Sequence, residues 1–286
     1  MNDISATSGE HLISLRSVSQ KELCLPAQFN QYTVFFISEG NGKFHSDFGI
    51  FNFETPVLLF ATPLQVIHMQ ESSNLICRML QFHGDFYCIE YHRKEVACNG
   101  LLFNNIYIDP AVSLSPEDAQ FFESLMQQIA VECSQSASSE IVLRAYLQLF
   151  LAKASTLKQR ILGAQVYQLE KDDQMEKFRL LLDEHYLILH KPSDYSGLLA
   201  MSPDNFSRRC TKYFKKSPSQ LIQERLVLEA KKQLHLTRQS IKEIAYNLKF
   251  KDEFYFSRFF KKLTQVSPQA FRDQTGISIV ADLSSY

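Results

Sequence analysis

Phe206-Ser207-Arg208 returns fifty residues later as Phe256-Ser257-Arg258, and each copy is followed at the same distance by Ser-Pro, at Ser217-Pro218 and Ser267-Pro268. The register holds beyond that, where Leu221 and Phe271 occupy the same relative place. Ahead of each copy stands a short helical pattern with a small residue at the matching position, Tyr195-Ser196-x-x-Leu199 and Ile244-Ala245-x-x-Leu248. A small residue there lets two helices cross closely, which is the grammar of a helix-turn-helix. The chain carries two copies of one small unit, and the duplication implies a pair of helices that read adjacent segments of DNA.

In the first copy the turn is Met201-Ser202-Pro203, with Ser202 as cap and Pro203 at the first helical position, so a helix is expected from about Pro203 to Phe214. Phe206, Cys210, Tyr213 and Phe214 fall at helical spacing and face inward, leaving Asp204, Asn205, Ser207, Arg208 and Lys212 outside. The second copy runs from about Asp252 to Leu263, with Phe256, Phe259, Phe260 and Leu263 inward and Glu253, Phe254, Ser257, Arg258, Lys261 and Lys262 outward. The N-terminal half of such a helix enters the major groove. Arg208 and Arg258 lie where an arginine can donate two hydrogen bonds to guanine; a phosphate contact is the alternative for each. Arg209, Lys212, Lys215, Lys216, Lys261 and Lys262 are assigned to phosphates, most of them because they lie toward the helix C-termini. Phe254 either meets a thymine methyl or folds back onto the core. Between the copies, Pro218 to His235 reads as a helix with Leu221, Ile222, Leu226, Leu228, Ala230 and Leu234 apolar. Eighteen residues at ~1.5 Å each span about 27 Å. That is commensurate with the ~34 Å between successive major-groove faces of B-DNA.

Charge is divided to match. Residues 191–272 hold 17 Lys and Arg against 7 Asp and Glu, and the remainder of the 286-residue chain holds 13 against 24. A basic block beside an acidic one fits a nucleic-acid module joined to one that avoids DNA; a solvated basic face is the alternative. Cys24, Cys77, Cys88, Cys98, Cys133 and Cys210 contain no Cys-x-x-Cys pair and read as reduced core residues. Met1 to Gly9 lacks the apolar stretch of a signal peptide, and no segment approaches the ~18 apolar residues of a membrane helix. A cytoplasmic protein with no membrane contact is expected.

The N-terminal part is written differently. Tyr32 to Ser38, Phe44 to Phe53, Val57 to Phe60, Gln65 to Gln70 and Leu75 to Phe82 are short aromatic and β-branched runs broken by turn residues, the pattern of a small β-barrel or jelly roll. Ser115-Pro116-Glu117-Asp118 starts a helix, Ser134 to Ser139 interrupts, and a longer helix follows. There Leu143, Leu147, Phe150, Ala154, Leu157 and Ile161 draw one apolar seam, which either packs against the barrel or pairs with a second copy of the chain. Residues 163–172 lose the seam and read as a linker; Met175, Phe178, Leu181, Leu182 and His185 mark the first helix beyond it, and Ser193 is expected to cap the next.

The phrases Ser202-Pro203-x-x-Phe206-Ser207-Arg208, Arg225-Leu226 with Ala230-Lys231, Ile241-x-x-Ile244-Ala245 and Phe256-Ser257-Arg258-Phe259-Phe260-Lys261-Lys262 before Ser267-Pro268 together resemble the arabinose-regulator (AraC/XylS) family of bacterial transcription factors. The likeness is close from about Met175 to Asp273 and looser before it. It implies an α+β protein: a cupin-like β-barrel sensor with a helical dimerisation segment over residues 1–162 (helices about 116–162), a linker, an all-α DNA-binding domain of two helix-turn-helix units over 173–274, and a tail. It implies base contacts from Asp204, Ser207, Arg208, Glu253, Phe254, Ser257 and Arg258, with double-stranded DNA and RNA polymerase as partners, a homodimer, and no enzymatic activity or cofactor. Three positions depart from it, since the family usually has glycine where this chain has Lys215, Lys249 and Gln265, each at a helix end. A non-glycine residue in a left-handed cap costs ~1 kcal/mol.

The family's barrels often hold a small-molecule effector, for which Tyr32, Phe36, Phe44, His68 and Arg78 are the candidate lining here; a solvated strand face is the alternative for the two polar ones. His45, His68, His83 and His92 lack the close spacing of a cupin metal site, so no metal is expected. A regulator governed by a protein partner, with its barrel filled by side chains, and a cupin enzyme fused to a DNA-binding domain remain the alternatives.

Overall fold

A computed structural model describes residues 2–5, 11–46, 49–71, 75–87, 101–103, 105–135, 139–166 and 172–277. Cys88, Cys98, His92, the middle of the Ser134 to Ser139 break, residues 167–171 of the expected linker and most of the tail lie outside the described residues.

The N-terminal half is built on antiparallel strands. They are β1 (Asn2–Ser5), β2 (His11–Val18), β3 (Tyr32–Glu39), β4 (Asn41–Ser46), β5 (Gly49–Glu54), β6 (Val57–Ala61), β7 (Ile67–Glu71), β8 (Ile76–Phe82) and β9 (Ala111–Ser113), with a short helix α1 (Gln20–Leu23) after β2. A larger sheet has the order β1-β2-β8-β3-β6-β9 and a smaller one β5-β4-β7. Among the described residues no strand pairing joins the two sheets, so they face each other across a core and do not close a barrel. The expected single strand from Phe44 to Phe53 is a hairpin, β4 with β5, in which His45 pairs with Ile50 and Ser46 with Gly49. Apolar residues on both sides of Ser46-Asp47-Phe48-Gly49 make the run read as one strand.

Strand β3 explains how the half holds together. Its residues Tyr32 to Ile37 are buried without a break, because the strand is covered on both faces. Phe35 and Ile37 point toward the small sheet and pack with Phe44, Phe53, Ile67 and Met69. Val34 and Phe36 point the other way, onto helices α2 (Pro116–Ser134) and α3 (Glu140–Val166). Ser115 caps α2 as expected, its hydroxyl accepting from the Asp118 N–H. The apolar seam of α3 is intramolecular: Leu143, Leu147, Phe150 and Ala154 are fully buried in the core that α2, α3 and the large sheet share. Helix α3 continues to Val166, so the first residues of the expected linker are helical. Of the described cysteines, Cys77, Cys133 and Cys210 are buried, whereas Cys24 is exposed and is not a core residue. No described helix is long and apolar enough to cross a membrane.

The C-terminal half is helical: α4 (Asp173–His185), α5 (Pro192–Leu198), α6 (Pro203–Phe214), α7 (Pro218–Leu236), α8 (Ile241–Asn247), α9 (Glu253–Thr264) and α10 (Pro268–Thr275). Helix α5 is capped at Lys191 with Pro192 at its first position, not at Ser193. The repeat in sequence is a repeat in backbone. Ser202 and Asp252 cap α6 and α9, and Ser217 and Ser267 cap the helices that follow. The turn between α5 and α6 closes with Met201 N–H to Ser196 C=O, and that between α8 and α9 with Phe250 N–H to Ala245 C=O, both 2.9 Å. Lys215, Lys249 and Gln265 have φ of 58°, 61° and 66°, the left-handed caps anticipated where glycine is usual. Replacing Lys215 or Gln265 by Gly should raise stability by ~0.5–1 kcal/mol, read as a higher midpoint of thermal unfolding; an unchanged or lowered midpoint contradicts the strain.

A buried lysine gives the N-terminal half a pH dependence. The Lys158 ammonium on α3 donates to the carbonyls of Asp109 (2.8 Å) and Ala111 (2.6 Å), and burial pulls its pKa down to about 8. Between that value and the ordinary lysine range the unfolded chain binds more protons than the folded one, so stability should rise as pH climbs from about 8 toward 10. Urea midpoints across this window should rise for the wild type and less so for Lys158→Met.

Candidate nucleic-acid interface

Helices α6 and α9 present their outward residues at the same points of the same scaffold. On α6, Asp204, Ser207, Arg208 and Lys212 are exposed and Asn205 is half-buried. The Arg208 guanidinium is 3.3 Å from Asn205 Oδ1, which steadies it along the helix face. On α9, Phe254, Arg258, Lys261 and Lys262 are exposed, and Glu253 and Ser257 are half-buried. Phe254 is 79 % exposed, so it does not fold back onto the core. Tyr255 beside it is also exposed and leans on Phe250, ring centroids 5.9 Å apart; the sequence reading had not singled it out. Inward, Phe206, Cys210 and Phe214 on α6 and Phe256 and Phe260 on α9 are buried, which fixes the rotation of each helix.

Two of the expected phosphate contacts are engaged elsewhere. Arg209 grips the Asp172 carboxylate with two hydrogen bonds, one of them Nε to Oδ2 at 2.9 Å. Asp172 also caps α4, accepting from the Gln174 and Met175 N–H groups. Burial alone would raise the Asp172 pKa; the bonds from Arg209 and those backbone donors outweigh it and hold the carboxyl below its usual range. Lys216 lies in a buried pair with Glu224 (2.7 Å; side chains 15 % and 7 % exposed) and donates to the Ile106 carbonyl of the N-terminal half at 3.0 Å. Lys215, at its left-handed cap, folds its ammonium onto the Lys212 carbonyl at 3.0 Å and is exposed. Periodicity located these cations on their helices but held no sign of their acidic partners.

Residues 195–274 match the family model of a helix-turn-helix domain. The match spans both copies of the repeated unit, from α5 to α10. Among curated proteins no match is found. Solved structures similar to the chain include ToxT from Vibrio cholerae, 14 % identical over 93 % of this chain and 99 % of that one, with a TM-score of 0.44. They also include the C-terminal domain of AraT, a response regulator from Geobacillus stearothermophilus, 26 % identical over 38 % and 90 % with a TM-score of 0.36. The DNA-binding domain of AdpA, in complex with a target DNA, is 22 % identical over 36 % and 92 % with a TM-score of 0.34.

The helix-turn-helix domain docks on the N-terminal half through α7, and the proposed effector residues do not meet in one place. Tyr32 stacks on Phe82 at 5.4 Å and borders a cavity of about 370 Å³ between the halves, with His83, Tyr107, Arg179, Arg225 and Lys231 also on its wall. Phe36 is in the helix-facing core and Phe44 in the core between the sheets. His68 stacks on His45 at 3.9 Å on the opposite face of the small sheet from Phe44, and Arg78 pairs with Glu123 of α2 at 3.0 Å. Strand alternation sends these side chains to different faces, and Phe35, Phe44, Met69 and Met79 fill the space between the sheets. Among the described residues no group of three or more His, Cys, Asp and Glu could hold a metal ion.

Arg209 and Lys212 of α6 should separate cleanly. Arg209→Ala leaves Asp172 without its partner and should lower the stability of the domain by ~1–3 kcal/mol. Lys212→Ala should leave the unfolding midpoint in place, and equal effects on melting would refute the assignment of Arg209 to the fold.

Proposed function

We propose that the protein is a sequence-specific transcription regulator in which α6 and α9 each enter a major groove of promoter DNA, a cupin-like sensor half being joined to the DNA-binding half through the chain between α3 and α4. The observation that carries this reading is the duplicated unit, with Arg208 and Arg258 exposed at equivalent points of helices inside a helix-turn-helix domain. Each arginine can donate two hydrogen bonds to a guanine edge, with Asp204, Ser207, Glu253, Phe254 and Ser257 beside them for neighbouring bases. Phe254 suits a thymine methyl. Lys212, Lys215, Lys261 and Lys262 take phosphates; Lys216 and Arg209 serve the fold in the docked form. The outer face of α3, where Ile141 and Leu149 are exposed, supports a homodimer better than the buried seam does. RNA polymerase is the further partner this reading requires.

Regulation by a small molecule belongs to the same proposal, with the cavity between the halves as the place for it, since the space between the sheets is filled. A ligand at that seam would contact both halves at once and so bias how they meet.

Selection of preferred sites from random DNA tests the reading. Two short boxes ~10 base pairs apart centre to centre are expected. Arg208→Ala should relax base preference in one box and Arg258→Ala in the other, each costing ~1–3 kcal/mol, while Lys262→Ala lowers affinity on all sequences alike. If both arginine variants keep the wild-type preferences in both boxes, the base-reading assignment fails.

A further inference from the structure

The N-terminal half touches the two helix-turn-helix units at corresponding points, one on each side of α7. After α6, Lys216 donates to the Ile106 carbonyl at 3.0 Å, and the Ile106 side chain is buried among Met175, Phe178, Phe214 and Leu221 in the core of the first unit. At the end of α9, the Gln28 side-chain amide donates to the Thr264 carbonyl at 3.1 Å. Thr264 lies in the last turn, where carbonyls lack a helical partner and a side chain from outside can satisfy them. The same Gln28 nitrogen donates to the Leu64 carbonyl at 3.1 Å, and Leu64 is buried among Val227, Ala230, Leu234, Ile244 and Phe256 in the core of the second unit.

Leu64 is the unusual member. Its φ is 55°, in the left-handed region that branched and bulky residues avoid and that Gly or Asn occupies with less strain. Its N–H is held by the Phe29 carbonyl at 2.6 Å, so the turn after Thr62-Pro63 is fixed from within the N-terminal half. The backbone of Leu64 is thus bonded within its own half, while its side chain packs in the core of the other. Meanwhile the outward residues of α6 and α9 remain uncovered in the docked form, with Arg208, Arg258 and Phe254 all exposed.

We infer that Leu64, with Gln28, is a positioning residue for DNA reading: together with Ile106 it clamps both helix-turn-helix units onto one rigid body and so fixes the spacing at which α6 and α9 meet DNA. The inference rests on the DNA-reading proposal for its consequence, but the clamp itself has a readout without DNA. Two readers joined flexibly tolerate altered spacing and lose effective concentration on the best site, whereas two readers held rigidly are demanding and tight.

The test uses the full chain with Leu64→Asn, which suits the left-handed turn but brings a polar side chain to an apolar core, with Gln28→Ala as a second, independent variant and Leu64→Met as the conservative control. Spin labels on unnatural side chains at Leu198 and Tyr246, one in each unit and both exposed, report the distance between the units in the absence of DNA. A narrow distribution is expected for the wild type and Leu64→Met, and a clearly broader one for Leu64→Asn and Gln28→Ala. On sites selected by the wild type, inserting one base pair between the boxes should weaken wild-type binding by roughly 10-fold and Leu64→Asn binding by about threefold or less, with the variant weaker on the unaltered site. Unchanged distances in both variants overturn the clamp. Tighter binding by Leu64→Asn on the unaltered site also overturns it, because the contact is then a block. Broadened distances in a protein that selects no DNA sites uphold the clamp and dispose of the DNA reading instead.

Discussion

Burial of both sides of one helix organises the C-terminal half. Helix α7 gives Leu221, Ile222 and Leu226 to the core that α4, α5 and α6 build, and Val227, Ala230 and Leu234 to the core of α8, α9 and α10. A helix apolar on opposite sides has little surface left for water, and Arg225, Leu228 and Lys231 on what remains line the cavity against the N-terminal half. Arg225 stacks on the Tyr186 ring at 3.7 Å and pairs with Asp183 at 3.1 Å, the same carboxylate that accepts from the Tyr107 hydroxyl. The orientation of each exposed arginine is therefore set through α7, by the large apolar side chains behind it.

In the N-terminal half β3 has the corresponding duty. Covered on one face by α2 and α3 and on the other by the small sheet, it makes the packing of the helices and the packing of the sheets depend on a single strand. The interior that results is aromatic and full. Space appears instead where the halves meet, because surfaces shaped by two separate cores leave gaps where their curvatures differ.

The helical half was legible in the sequence because its signals are local. Ser202, Ser217 and Ser267 announce helices one residue before they start, and the three non-glycine caps stand where the resembling family usually has glycine. The seam of α3 was also visible, but apolar spacing records only that a face is covered, and the large sheet and α2 cover this one. Strands β1 and β2 escaped notice because His11 to Val18 mixes polar and apolar residues at an edge of the half. The interdomain contacts left no trace at all. Leu64, Gln28 and Ile106 are single residues in turns, and their meaning comes from partners more than a hundred residues away.

Asp172 stands directly before α4, and it is bound to Arg209, a residue of the α6 helix itself. The chain thus enters the helical half at a residue that holds the scaffold helix α4 and the rear of α6 at once. A displacement of Asp172 is therefore felt first by α4 and α6, and by α9 only through the cores behind them. The two repeated units are alike in shape and unlike in leverage.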